Sequence, residues 1–205
     1  MITAGPTWVA IDKARVISNI ASGKTGFILA DKFKSLGIDV TLLLGPGYFL
    51  GSIEGIKIIR FKYFSQLETL LKKELKKKIY SAVIHAAAVS DYKPNKIIKS
   101  KVDSDRISWR INLIPTKKLI NSLGVYRNNL FKVGFKFEPD GNNNKLINEG
   151  KALLKRTDLD LVVANSNREG NYCAYILENT IHHGPFFSKV KMASGLVKLM
   201  RNKIT

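Results

Sequence analysis

The feature that most constrains this chain is an alternation of short, continuous apolar runs with longer amphipathic stretches. Residues 38–45 (IDVTLLLG), 56–61 (IKIIRF), 81–90 (SAVIHAAAVS) and 159–165 (LDLVVAN) have strand length. They lack the polar alternation of a sheet with one wet face, so they read as strands covered on both sides. Between them, 26–37 (GFILADKFKSLG, ending on Gly37), 67–80 (LETLLKKELKKKIY) and 146–156 (LINEGKALLKR) carry apolar residues at helical spacing. A series of this kind predicts an α/β, Rossmann-like three-layer fold with a mostly parallel sheet between helices. Residues 1–5 (MITAG) read as the tail of a first strand, clipped close to its start, with a loop running on to Gly23. Residues 107–114 (ISWRINLI) alternate like a half-exposed strand, and 130–137 (LFKVGFKF) like another, followed by a turn at GNNN. The chain closes with a hairpin (173–179 and 180–184) and a helix capped by Ser188.

At 205 residues the chain is read as one domain, 1–205. Lysine and arginine number 34 against 16 acids, a formal charge of +18. Nucleic acid is the reflex partner for such a chain. Yet 26 of the 34 are lysines, and the densest run, 72–78, falls where Leu67, Leu70, Leu71, Leu75 and Ile79 recur at helical spacing. Those lysines are expected on the solvated face of an amphipathic helix, and small anionic substrates fit the charge better than nucleic acid. No stretch of 18 apolar residues occurs, and no charged-then-apolar leader precedes Ile2. The lone Cys173 excludes a disulfide framework. A cytoplasmic protein is the expectation.

In open parallel sheets ligands bind beyond the C-terminal ends of the strands. The segments to inspect are therefore AGPT (4–7), GPG (45–47), AAAVSDY (86–92), GFKFE (134–138) and the Ala164-Asn165 pair. Two phosphate-loop look-alikes fail. SNIASGKT (18–25) has Ser18 where a P-loop needs its first glycine, and GPGYFLG (45–51) carries Pro46 and a glycine spacing too wide for a dinucleotide fingerprint. Asp91 to about Ser104 is polar and lysine-rich around Pro94 and reads as a mobile flap. His85, His182 and His183 do not make a ligand set, and Cys173 reads as packing.

A combination is more specific. ITAGPT (2–7), Ile11-Asp12, ARVISNIASGKTG (14–26), HAAAVSDYKP (85–94), a lysine loop, VGFKFE (133–138) and DLVVAN (160–165) follow in order. Together they resemble the phosphopantothenoylcysteine synthetase family over nearly the whole chain. The resemblance implies a ligase that joins 4′-phosphopantothenate to L-cysteine. A nucleoside triphosphate, CTP or ATP, with Mg²⁺, would activate the carboxylate as an acyl-nucleotidylate, releasing pyrophosphate. It further implies a homodimer and a separate flavin-dependent decarboxylase partner, with no membrane and no nucleic acid involved.

The same resemblance implies roles for residues. Asn19 would serve the acyl intermediate, its amide donating to the acyl oxygen and accepting from the amine. Arg15 would hold a phosphate or carboxylate, or else form an interface ion pair. Lys101, ten residues beyond Asp91, would be the flap lysine that stabilises the α-phosphate, with Lys96 and Lys99 as alternatives. Gly5, Ser22, Gly23, Lys24, Ala87, Ala88, Asp91, Phe135, Lys136 and Asn165 would bind the nucleotide. Asp91 is also the one weak candidate for Mg²⁺, which prefers carboxylates together with substrate phosphates. Many members read PTREP where this chain has Pro6-Thr7-Trp8-Val9-Ala10, and Ala21 stands in place of a serine. Two rival readings are an NAD(P)-binding reductase on a similar sheet and a basic nucleic-acid binder.

Overall fold

The predicted strands assemble into one sheet. The computed structural model describes residues 1–47, 54–77, 79–126, 129–179 and 181–204. Twelve strands are present among them: β1 (Ile2–Ala4), β2 (Trp8–Ala10), β3 (Val16–Ser18), β4 (Thr41–Leu44), β5 (Lys57–Arg60), β6 (Ala82–His85), β7 (Tyr92–Pro94), β8 (Leu113–Pro115), β9 (Phe131–Phe137), β10 (Leu161–Arg168), β11 (Asn171–Glu178) and β12 (Ile181–Phe186). The helices are α1 (Lys24–Lys34), α2 (Phe64–Leu75), α3 (Leu123–Tyr126), α4 (Asn143–Arg156) and α5 (Lys189–Ile204). Eight strands form the main sheet in the order β12-β11-β10-β9-β6-β1-β4-β5. The six from β10 to β5 are mutually parallel, and β11 and β12 add an antiparallel hairpin. The fold is thus α/β and Rossmann-like, with a mostly parallel sheet.

Strand alternation sorts side chains between the two faces. In β4, Leu42 and Leu44 point into the core under α1 and α5, and Leu43 into the core under α2. All three are essentially inaccessible, as a strand covered on both sides requires. On α2, Leu67, Leu71 and Leu75 form an i, i+4, i+8 stripe with no exposure, while Lys72, Lys73, Lys76 and Lys77 face water. Each such leucine contributes about 1.5–3 kcal/mol by burial. Ile79 departs from the expected stripe: the helix has ended and Ile79 is exposed. Lys78 and Thr180 lie outside the described residues, as do 48–51 of the GPGYFLG look-alike.

Three expectations are corrected. The segment expected as loop up to Gly23 contains the antiparallel hairpin β2–β3, docked by Trp8 N–H on the Lys62 carbonyl. The expected strand at 107–114 is in pairing only at its end, where β8 meets β7; Ile107 is fully exposed. The expected mobile flap is held at both ends and within. It starts in β7, Ile98 N–H donates to the Ile11 carbonyl, and Val102 is buried.

Candidate functional site

The strand order changes direction between β1 and β6: β4 and β5 lie to one side of β1, β6 and β9 to the other. Crevices form at such a point beyond the strand ends. Here Gly5 follows β1 and Gly45 follows β4, and Gly23 caps α1. Gly5 and Gly23 both adopt φ near +79°, a conformation suited to glycine. A β-carbon on Gly23 would sit 3.2 Å from Leu44 Cδ1 and 3.4 Å from the Gly5 nitrogen; one on Gly45 would sit 2.3 Å from the Pro6 carbonyl oxygen. Backbone therefore packs on backbone. One turn into the helix, a β-carbon on Gly26 would meet Ala4 Cβ at 2.3 Å, so α1 runs directly against β1. The first turn of α1 has no side-chain cap beyond Ser22 Oγ accepting from Lys24 N–H at 3.3 Å. Its N–H groups suit an anion. Ser22, Gly23 and Lys24 thus stand at the α1 N-terminus over the crevice floor.

The loop after β6 is laced to the loop after β1. Thr3 Oγ1 accepts from Ala87 N–H at 3.2 Å and pairs with His85 Nδ1 at 2.9 Å. Thr7 Oγ1 accepts from Ser90 N–H at 2.9 Å and Ser90 Oγ donates to the Thr7 carbonyl at 3.0 Å. Ala87 and Ala88 are left half-exposed at the crevice wall. Asn19 is exposed, and its Nδ2 donates to the carbonyls of Ala88 at 3.3 Å and Val89 at 3.1 Å. Two carbonyl partners fix which atom is nitrogen, which leaves Oδ1 as the acceptor end of the amide. In the ligand-free chain the amide donor expected to serve the acyl oxygen is thus engaged with backbone carbonyls. Neither Thr7 nor Ser90 stood out in the sequence, because their bonding joins segments 83 residues apart.

Arg15 is likewise committed within the chain. Its Nη1 donates to Asp12 Oδ2 at 2.6 Å and to the Val102 carbonyl at 3.1 Å, and the guanidinium lies 5.3 Å from the Trp109 ring centre. The ion pair seen lies inside the chain, with Asp12, and is neither the ligand contact nor the interface pair expected for Arg15. Lys96, Lys99 and Lys101 are exposed and form no ion pair among the described residues. Asp91 is exposed and its Oδ1 accepts from Lys118 Nζ at 2.5 Å. Lys118, which sequence reasoning passed over, thus adds a cation beside the β6 loop. No group of three or more His, Cys, Asp or Glu side chains converges among the described residues. The described residues therefore offer no cage for a magnesium ion; Asp91, paired with Lys118, could add one carboxylate at most to an ion carried in on phosphates.

On β9 and β10, Phe135 and Asn165 point to the α1 side of the sheet, where Phe135 packs on the core. Lys136 points to the other side. It pairs with Glu138 at 2.7 Å and Glu149 at 3.3 Å, and these carboxylates hold its pKa up. Lys136, expected at the nucleotide, is thus ion-paired in the ligand-free chain. Beside the α1 N-terminus lies a cavity of about 430 Å³ lined by Lys24, Ile28, Tyr172, Ser188 and Lys189. Burial, then the nearby Lys24 charge, pushes the Lys189 pKa down, and its ammonium lies 6.0 Å from the Tyr172 ring centre. Lys189 was invisible beforehand, since α5 reads only as a terminal helix. Cys173 donates its thiol to Asn143 Oδ1 at 3.6 Å, and burial raises its pKa, the opposite of an activated nucleophile.

Residues 1–203 match the DNA/pantothenate metabolism flavoprotein C-terminal domain. The coenzyme A biosynthesis bifunctional protein CoaBC of Borreliella burgdorferi is 32% identical over 206 residues, covering 98% of this chain and 51% of that protein. The chain spans about half the length of this relative. Among solved structures, the DNA/pantothenate metabolism flavoprotein of Streptococcus pneumoniae superposes with a TM-score of 0.87 at 22% identity, covering 98% of this chain and 97% of that one. A variant of Cab2 in complex with phosphopantothenate-cysteine superposes at 0.80 and 18% identity, covering 99% and 86%. Both structural likenesses are likenesses of fold. The crevice at the strand-order reversal, with Asn19 and the glycine turn beside it, therefore sits in a chain that belongs to the DNA/pantothenate metabolism flavoprotein C-terminal domain family.

Proposed function

We propose that residues 1–205 form one ligase domain that joins 4′-phosphopantothenate to L-cysteine in coenzyme A biosynthesis. The carboxylate would attack the α-phosphorus of CTP or ATP, forming an acyl-nucleotidylate and releasing pyrophosphate. The cysteine amine would then displace the nucleoside monophosphate. The observation that carries this reading is the placing of Asn19. It is tied by Nδ2 to the Ala88 and Val89 carbonyls while Oδ1 stays available at the switch point of the sheet. An acceptor there can hold an incoming amine and take none of the electrophile for itself.

Two anions must meet before the first bond forms, so charge neutralisation is the main physical task. Lys24 and Lys189 gather beside the α1 turn, and Lys101 stands in the flap. Lys24 and Lys189 would hold the distal phosphates and Lys101 the α-phosphate, with Phe135 and Asn165 toward the base. A magnesium ion on the triphosphate, steadied by Asp91, would supply further charge neutralisation. The relative named CoaBC is bifunctional and about twice as long, which supports pairing with a flavin-dependent decarboxylase, in one chain or two. Homodimerisation is supported by apolar side chains left uncovered on the two small hairpins and their flap: Val16, Ile20, Tyr92, Ile97, Ile107 and Leu113. The proposed place of work is the cytoplasm; no described helix is long and apolar enough to cross a membrane.

The test is an incubation with phosphopantothenate, cysteine, Mg²⁺ and either CTP or ATP, assayed for pyrophosphate and for the amide product. Pyrophosphate release that depends on phosphopantothenate is the expected result. Silence with both nucleotides, together with saturable NADPH binding, would replace the ligase by a reductase.

A further inference from the structure

Asp12 sits in the turn between β2 and β3, an exposed turn flanked by Lys13 and Ala14, yet its side chain is wholly buried. Oδ1 does local work, accepting from the N–H groups of Ala14 at 2.8 Å and Arg15 at 2.7 Å. Oδ2 does not. It accepts from Arg15 Nη1 at 2.6 Å and from the Val102 N–H at 3.0 Å, a residue 90 positions away. Arg15 Nη1 closes the ring by donating to the Val102 carbonyl at 3.1 Å. Both backbone groups of one flap residue are thus held by a carboxylate and a guanidinium, and charge-assisted bonds are about twice as strong as neutral ones. The Val102 N–H, followed by the other two N–H groups and Arg15, holds the Asp12 pKa down to about 2 against the opposing effect of burial.

The position of this latch in the flap is informative. Adjacent Cα atoms are about 3.8 Å apart, so Lys101 is pinned to within one residue of Val102, whereas Lys96, six residues back, has a reach of about 20 Å from that point. Elsewhere in the described flap residues 95–101 the backbone ties are single neutral bonds, from Asn95 N–H to the Asn112 carbonyl and from Ile98 N–H to the Ile11 carbonyl, so what sets Val102 apart is a two-sided, charge-assisted clamp. We propose that Asp12 is a positioning residue for the ligation step: by clamping Val102 it fixes where Lys101 stands against the activated phosphate. The proposal rests on the ligase reading above and takes Lys101, the lysine beside the charge-assisted clamp, as the flap lysine.

A double-mutant cycle tests it. Lys101→Gln is expected to lower kcat by about 100-fold, the scale of one lost charge-stabilising donor. Asp12→Asn, which keeps the side-chain volume, should lower kcat by about 10-fold or more with nucleotide binding unchanged. If Asp12 acts through Lys101, the double variant is no slower than Lys101→Gln alone. Losses that multiply, or an Asp12→Asn enzyme with parental kcat, overturn the assignment. Amide hydrogen exchange on the free protein gives a readout independent of catalysis: Val102 should exchange faster in Asp12→Asn while Leu43 and Ile84 keep their protection. Unchanged exchange at Val102 would refute the latch itself. Absence of product from the parental protein would sink the ligase reading and the positioning role together, leaving the exchange result to judge the latch. Should Asp12→Asn not fold, Asp12→Glu, which keeps the charge, takes its place in the cycle.

Discussion

His85 makes a quantitative prediction that needs no assumption about substrate. It closes β6 at 5% exposure, and burial pushes its pKa down to about 4 from 6.5. Thr3 Oγ1 already accepts from the Ala87 N–H, so its one proton is free to go to His85 Nδ1. The folded ring is then neutral, with its proton on Nε2. The folded pKa lies below the unfolded one, so as pH falls the unfolded chain takes up the proton first. Stability from the neutral ring is complete above about pH 6.5 and drains away as pH falls toward 4. The full gap is worth about 3 kcal/mol, of which about 2 kcal/mol is gone by pH 5. Urea unfolding followed by circular dichroism, at about pH 7.5 and about pH 5, would measure it. His85→Gln should cost stability at the higher pH, through the altered Thr3 contact, but should lose about 2 kcal/mol less than the parental protein on acidification. His182 and His183 are present in both proteins and cancel. Equal acid sensitivity in the two would refute the account of a buried, neutral His85.

Other outcomes follow from the site. Asn19→Asp would turn a carboxylate oxygen toward the Ala88 and Val89 carbonyls, losing two hydrogen bonds at about 0.5–1.5 kcal/mol each and adding repulsion; product formation should fall at least 100-fold, and a variant with near-parental turnover would sink the assignment. Lys96→Gln should cost far less than Lys101→Gln in the pyrophosphate assay, and the reverse order would make 96–99 the working segment. Gly26→Ala gains up to about 1 kcal/mol of helix propensity but drives a methyl to 2.3 Å from Ala4 Cβ, so a net loss of about 1–2 kcal/mol is expected in urea titration. Lys189→Gln should raise the nucleotide KM several-fold with little change in thermal midpoint, because it removes a cation from the cavity and relieves Lys24 of a like charge.

The main sheet was legible in the sequence because each strand carries its own local signal. The run TLLL in β4 announces burial on both faces without reference to any partner, and so does the stretch that becomes β6 and its loop. Periodicity likewise located α2 and α4. What escaped was structure whose stability lies elsewhere in the chain. Strands β2 and β3 have three residues each and owe their place to docking on Lys62 and Tyr63, on the β6 loop and on the flap. Their sequence, interrupted by Asp12, Lys13 and Arg15, has no run long enough to register. The flap looked unanchored for the same reason: its polar composition describes the exposed residues truthfully and says nothing about Val102, whose two backbone groups are held by side chains about 90 positions earlier.

For the site, the same distinction separates residue identity from atomic role. Resemblance brought Asn19, Arg15, Lys101, Lys136 and Asp91 forward as a set, but the fold does not leave them equally available. Arg15 has Asp12, the Val102 carbonyl and the Trp109 ring; Lys136 has Glu138 and Glu149; Asn19 has spent its amide nitrogen. A charge that is already paired stabilises a transition state poorly, since the partner must be displaced or the attraction shared. Cations without an ion pair among the described residues that stand near the crevice or flap include Lys24, Lys189, Lys96, Lys99 and Lys101, the first two around one cavity and the last one residue from a clamp. Availability, more than residue type, is therefore what divides the candidates into those that build the crevice and those that face the ligand. Arg15→Lys checks this division. It keeps the charge, which is what a direct phosphate contact would chiefly need, but loses the planar fork that ties Asp12 to Val102. If Arg15 acts structurally, Arg15→Lys should loosen the flap in amide exchange and slow turnover about as much as Asp12→Asn does. Parental exchange at Val102 combined with a raised phosphopantothenate KM would instead return Arg15 to the ligand.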